Sequence, residues 1–152
     1  MKQRDGEPWM PADAYGRSLR GIGFNLLVRD IDQAAAFHRD VLAVEIVYAD
    51  ADFAAVRWAG PDGTFEWCLH ADHTYRDHPL FGSLNDELTR GIGAELRLYG
   101  RDPDDAEAAC RAHGHTVLAG AMDKPHGLRE AYLVDPDGYL WVPSVATPAD
   151  TA

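Results

Sequence analysis

The sequence predicts an α+β fold built from one strand–helix–three-strand module used twice. Three observations predict it. The tetrapeptide Arg20-Gly21-Ile22-Gly23 returns unchanged as Arg90-Gly91-Ile92-Gly93. Each copy is followed by an apolar run and then by Arg29-Asp30-Ile31-Asp32 or Arg101-Asp102-Pro103-Asp104. Each then reaches a strand–turn–strand signal, at Gly60-Pro61-Asp62-Gly63 and at Asp135-Pro136-Asp137-Gly138. A self-match at a spacing of about seventy residues is too long for a solenoid repeat and has too few copies for an array. A site is therefore expected where the two copies face each other.

Residues 1–18, with Pro8, Trp9, Met10, Pro11 and Tyr15, read as an irregular arm whose aromatic side chains must pack on this body or on a partner chain. Leu19–Val28 is strand-like. Asp30 caps a helix, because its carboxylate can accept the free N–H groups of the first turn. On that helix Ile31, Ala34, Ala35, His38, Val41 and Leu42 form a stripe at spacings of three and four, with Phe37 beside it. Strands are expected at Val44–Tyr48, Phe53–Trp58 and Thr64–Ala71. Residues 72–89 form an inserted polar connection, with a short helix near Leu84–Leu88.

The second module repeats the plan. A strand covers Ala94–Tyr99, and Asp102 caps a helix with Pro103 at its first position, ending near Ala112. Strands follow at Thr116–Ala119, Arg129–Val134 and Tyr139–Ser144. The boundaries are thus an arm at 1–18, modules at 19–89 and 90–144, and a tail at 145–152.

Alternation assigns the faces. Ile22, Phe24, Leu26 and Val28 share one face of the first strand, and Gly23, Asn25 and Leu27 the other. In the second copy Ala94, Leu96 and Leu98 oppose Glu95, Arg97 and Tyr99. The uniformly apolar faces must cover the helices, which places the helices on the outside. The mixed faces look into whatever the curved sheet encloses.

Composition excludes several functions. With 152 residues, 46% of them hydrophobic and 26% charged, the chain has ordinary globular composition. A net charge of −11 argues against a nucleic-acid partner, which needs clustered Lys and Arg. No apolar stretch approaches the roughly 20 residues of a membrane span. The first residues lack the apolar core of a signal peptide, so the chain is read as cytoplasmic. Cys68 and Cys110 read as two buried free thiols.

The helix segment Ala36-Phe37-His38-Arg39-Asp40-Val41-Leu42 and the closing turn Asp135-Pro136-Asp137-Gly138-Tyr139 make the chain resemble the vicinal oxygen chelate superfamily. That superfamily includes glyoxalase I, bleomycin-resistance proteins and extradiol dioxygenases. The resemblance covers about residues 19–144. His38, where Tyr is usual, and Ala43, where Gly is usual, depart from it. It implies a cup-shaped curved mixed sheet, usually completed by a homodimer. It also implies metal ligands at positions matching Gly23 or Asn25, Trp67, Glu95 and Val142. Glycine, tryptophan and valine side chains cannot ligate, so no cofactor is favoured.

Glu95 and Arg97, two apart on one strand, point the same way. Arg97 could clamp a carboxylate or phosphate with its planar fork, and Glu95 could orient the ligand or act as a catalytic base. The plain alternative is a structural ion pair, and the two weigh equally. Trp67, Tyr99, Trp141 and Leu27 could line a pocket for a flat ligand, although core is the commoner role for such residues. His70, His73 and His78, joined by His126, could hold a relocated divalent metal, but their spacing matches no closed zinc pattern. His38, on the apolar stripe, reads as an interior histidine.

The favoured reading is a small-molecule-binding protein of the glyoxalase/bleomycin-resistance type, with Asn25, Trp67, Glu95, Arg97 and Tyr99 at the ligand. The alternative is a metal-dependent lyase, isomerase or dioxygenase with its metal at His70, His73 and His126. Whether the chain is an enzyme stays open. A third reading, a regulatory partner protein, rests only on the Trp9-containing arm.

Overall fold

A computed structural model describes residues 9–149; residues 1–8 of the arm, with Pro8, and residues 150–152 of the tail lie outside the described residues. The chain runs through α1 (Ala12–Ser18), β1 (Asn25–Val28), α2 (Ile31–Asp40), β2 (Glu45–Ala49), β3 (Phe53–Gly60) and β4 (Gly63–Ala71). It continues through β5 (Leu96–Tyr99), α3 (Pro103–Ala112), β6 (Thr116–Asp123), β7 (Leu128–Val134) and β8 (Leu140–Ala146). The result is α+β: two open four-stranded mixed sheets, ordered β1-β4-β3-β2 and β5-β8-β7-β6. In each, the first strand runs parallel to the last and the other neighbours are antiparallel.

Both helices begin where an aspartate caps them. Asp30 accepts from the Gln33 N–H at 2.9 Å, and Asp102 from those of Asp104 and Asp105 at 2.9 and 3.0 Å. α2 ends on Ala43, whose φ of 57° is left-handed, and the Val44 N–H closes onto the His38 carbonyl at 3.1 Å. One apolar cluster joins the modules, with Val28, Phe37, Leu42, Val56 and Leu69 from the first and Leu98, Ala106, Leu133 and Trp141 from the second. Cys68 and Cys110 are both buried thiols. None of the helices is long and apolar enough to cross a membrane.

Several expectations need correction. The segment preceding β1 is irregular and that preceding β5 holds a turn at 90–93, so β1 begins at Asn25 instead of Leu19, and β5 at Leu96 instead of Ala94. Gly21 and Gly91 both take φ of 71°, which bends each Gly-Ile-Gly out of extended conformation. Ile22 is consequently 97% exposed, and only Leu26 and Val28 of its expected face reach the core. Residues 12–18 of the arm are helical, following Pro11 and braced by an Arg17–Asp13 pair one turn apart. The 72–89 connection holds two 3₁₀ turns, Asp72–Tyr75 and Phe81–Ser83, with no helix at Leu84–Leu88. β6 continues past Ala119 to Asp123 through register irregularities, where Glu107 of α3 accepts the Ala121 N–H at 2.6 Å.

The modules are joined by buried charge. Arg90 is 3% exposed; it donates to Asp72 at 2.7 Å and to the Leu27 carbonyl at 2.7 Å, and lies 3.5 Å from Asp137. Arg29 reaches Asp137 from the other module at 3.1 Å, and the Tyr139 hydroxyl also donates to Leu27 at 3.0 Å. The Asp-Pro-Asp-Gly turn that carries the resemblance is therefore part of the module joint. Within it Asp135 accepts from the backbone N–H groups of Asp137, Gly138 and Tyr139 at 3.0, 3.0 and 2.9 Å, and from the Trp141 indole at 3.2 Å. Asp135→Asn keeps the first three acceptances but sets an amide N–H against the indole N–H. The expected loss is about 2 kcal/mol in chemical denaturation at pH 8, since a buried donor without a partner costs ~1–3 kcal/mol. An unchanged midpoint would mean the turn relaxes.

Candidate functional site

In each module the helix covers one sheet face, and the chemistry lies on the other. On the first sheet the register places Asn25 beside Cys68, Leu27 beside His70, Phe53 beside His70 and Ala55 beside Cys68. Phe53, Ala55 and Cys68 form a second small apolar cluster, against which Tyr15, Val47 and Tyr48 pack.

The arm lies on this face. Trp9 stacks on Tyr48 at 4.9 Å and 26° and lies parallel to Phe53 at 6.2 Å and 10°. Tyr15 meets Phe53 edge-on at 6.1 Å, and its hydroxyl lies 3.2 Å from the Cys68 sulfur. Burial, then the Cys68 contact, push the Tyr15 phenol above its ordinary pKa, so it stays protonated. Between arm and sheet lies a cleft of about 260 Å³, lined by Trp9, Tyr15, Phe53, Cys68, His70 and Tyr75, with Asn25 at its margin. His70 lies 5.1 Å from the Phe53 ring and 5.2 Å from Tyr75, and the Asn25 amide donates to the Tyr75 hydroxyl at 3.3 Å.

The free face of the second sheet is polar and internally paired. Arg97 donates to Glu95 at 2.9 Å, to the Tyr99 hydroxyl at 3.1 Å, and to Glu130. Glu130, 1% exposed, also accepts from the Tyr132 hydroxyl at 2.9 Å, and the His126 ring nitrogen lies 3.1 Å from it. Burial alone would raise the Glu130 pKa, but hydrogen bonds from His126, Tyr132 and Arg97 outweigh it and hold the carboxyl ionised. Burial likewise opposes the Arg97 charge, and its bonds to Glu130, Glu95 and Tyr99 outweigh that too.

These positions distribute the sequence candidates unevenly. Glu95, Arg97 and Tyr99 do come together, on the second sheet, but Arg97 spends its fork on protein acceptors. Asn25 stands at the cleft of the first sheet. Trp67 faces the helix side, among His38 at 5.9 Å and Trp141 at 5.5 Å. Val142 is buried in the core. His73 pairs with Asp52 at 2.6 Å, His70 lies in the cleft, and His126 belongs to the other module beside Glu130. Among the described residues no three His, Cys, Asp or Glu side chains converge to hold an ion. The family's metal positions do not fit a divalent cation either, since a core indole and a core valine offer no donor.

Sequence reasoning missed Phe53 and Cys68 as cleft residues and considered His70 only as a metal ligand. It set His126, Arg129 and Glu130 together at a strand entry, with ordinary polar contacts slightly favoured, but did not pair Glu130 with Arg97. The first group was signalled by alternation: Trp67, Leu69 and Ala71 are the apolar phase of β4, leaving Glu66, Cys68 and His70 for the opposite face. Glu130 depends on strand pairing that no local pattern gives.

The fold is shared with solved structures. A glyoxalase/bleomycin resistance protein/dioxygenase from Nocardioides matches with a TM-score of 0.62 at 19% identity, over 90% of this chain and 93% of its own. A glyoxalase-related enzyme from Fulvimarina pelagi matches with a TM-score of 0.62 at 18% identity, over 83% and 87%. A glyoxalase/bleomycin resistance protein/dioxygenase family enzyme from Burkholderia phytofirmans PsJN gives 0.63 at 17%, over 82% and 96%. The sequence matches no protein-family model and no curated protein.

Proposed function

We propose that this chain, with the fold of the glyoxalase/bleomycin-resistance/dioxygenase proteins, binds a small organic molecule in the cleft between its arm and first sheet. One observation carries the reading: the cleft combines apolar and aromatic walls with a few convergent polar groups, Asn25, Tyr15 and His70, on the sheet face opposite α2. Ligand sites are typically of this kind, mostly apolar with a small number of placed polar groups. A volume of about 260 Å³ suits a ligand of one or two rings.

The second sheet supports the same reading by contrast. A carboxylate or phosphate ligand would have to displace Glu95 or Glu130 from Arg97, and removing one partner of such a pair strands the other charge. A homodimer, as the resemblance implies, is compatible with a cleft that lies within one chain.

Binding of 2-naphthol, followed by isothermal titration calorimetry, tests the site. Tyr75→Ala is expected to weaken it about twofold to tenfold, since an aromatic contact is worth ~0.5–1.5 kcal/mol beyond its area. Arg97→Ala is expected to leave it unchanged. Loss of binding in Arg97→Ala with none in Tyr75→Ala would move the site to the second sheet and overturn the proposal.

A further inference from the structure

The two Arg-Gly-Ile-Gly segments have the same sequence and the same φ of 71° at their first glycine, but they are held differently. In the second copy Arg90 is buried among Asp72, Asp137 and the Leu27 carbonyl, and a Cβ on Gly91 would come within 2.5 Å of the Tyr139 ring. That segment is anchored at Arg90 and Gly91, although Ile92 is exposed. In the first copy Arg20 is exposed and, among the described residues, donates to the nearby Arg17 and Leu19 carbonyls. Gly21 has nothing within 4 Å of where a Cβ would stand, and residues 19–24 are all exposed. The first copy therefore has the properties of a hinge between arm and body.

What the hinge carries is lightly docked. α1 has seven residues, buries none of them, and receives no side-chain cap from Pro11; so short a helix has little stability of its own. Among the described residues the arm's one side-chain hydrogen-bonding contact with the sheet is that of Tyr15 with Cys68. Ring contacts add to it. The Trp9 indole lies near-parallel to both Tyr48 and Phe53, and it remains 37% exposed. Parallel ring contacts of this sort do not distinguish an indole of the chain from any other flat ring.

We infer that residues 9–18 are a self-docked cover whose Trp9 ring holds the place of a planar aromatic ligand, which binds by displacing Trp9 from Tyr48 and Phe53 as the arm swings about residues 19–23. The inference rests on the cleft being a ligand site, and it narrows the ligand to molecules with at least one flat ring. It also gives the affinity an internal competitor. If the arm is docked about nine-tenths of the time, the apparent affinity of the open site falls about tenfold.

Two measurements on the full chain test this with 2-naphthol, and with cyclohexanol as the non-planar control. Trp9→Ala is expected to bind 2-naphthol about tenfold tighter than the parent, with cyclohexanol weak in both. Hydrogen exchange of the α1 amides in the parent is expected to accelerate when 2-naphthol is saturating. Equal or weaker binding by Trp9→Ala, or slower α1 exchange on binding, would make the arm a fixed wall and overturn the inference while leaving the cleft as a site. Absence of 2-naphthol binding in both proteins would remove the cleft reading, and the inference with it. Trp9 lies at the periphery, so the variant's folding is checked by an unchanged thermal midpoint.

Discussion

Arg90→Met is expected to lower the stability of the fold by about 4 kcal/mol, because removing one partner from a buried ion pair typically costs ~3–5 kcal/mol. The guanidinium is 3% exposed and satisfies Asp72 and the Leu27 carbonyl while lying 3.5 Å from Asp137, itself buried. Methionine fills much of the same space and supplies no donor. At this chain length a loss of that size lowers the thermal midpoint by roughly 10 °C. Arg20→Met, at the same position of the first tetrapeptide, is expected to change stability by less than about 0.5 kcal/mol, as exposed substitutions do. Urea denaturation of both variants checks the pair. A loss under about 1 kcal/mol in Arg90→Met would mean Arg29 alone holds the joint.

The second large effect is on pH. His38 is fully buried, with its Nδ1 2.7 Å from the Ala34 carbonyl, and its rings of contact are Trp141 at 5.0 Å and Trp67 at 5.9 Å. Burial pushes its pKa down to about 4, against the smaller opposing effect of the Ala34 hydrogen bond. The folded state thus keeps the ring neutral where the unfolded chain, titrating near 6.5, would take up a proton. The stabilisation is complete above pH 6.5 and is lost as pH falls toward 4, a total of about 3 kcal/mol at 1.36 kcal/mol per pKa unit. Asp135 acts in the opposite sense, since burial pushes its pKa up to about 6: its folded form gains relative stability as pH falls. The difference between the parent and His38→Phe isolates the histidine. The parent is expected to lose about 3 kcal/mol more than the variant between pH 7 and pH 4. Parallel curves would show that His38 takes up its proton in the folded state.

The repeat made the module plan readable from the residues alone, because helix caps, turns and apolar periodicity are local signals. Asp30 and Asp102 cap the helices as their positions suggest, and the turn at Asp135 joins two paired strands. The tetrapeptides themselves were less legible. The first was expected within the strand-like Leu19–Val28, but Gly21 at φ of 71° bends it out of extended conformation. Trp67 was placed by the resemblance, whose register sets it among ligand positions, while the alternation of its own strand sets it in the core. Asn25 was placed from alternation and stands at the cleft. The arm's resting place was not legible, since the aromatic rings of Trp9 and Tyr15 specify that they must be covered and not by what. Glu130 meets Arg97 only because β8 brings β5 and β7 to its two sides, a relation that no sequence window contains.

The paired face of the second sheet also bears on how such a chain can change. Arg97, Glu95, Glu130, Tyr132 and His126 share contacts through Arg97 and Glu130, so substitution of one disturbs the others, and their effects are not additive. Sequence drift there has to proceed by matched exchanges. The rings of the first sheet are held in separate pairs, Tyr15 with Cys68, Tyr48 with Asp50 and Tyr75 with Asn25, so each exchange has its own partner to match. One module is in this sense constrained through a shared network and the other pair by pair.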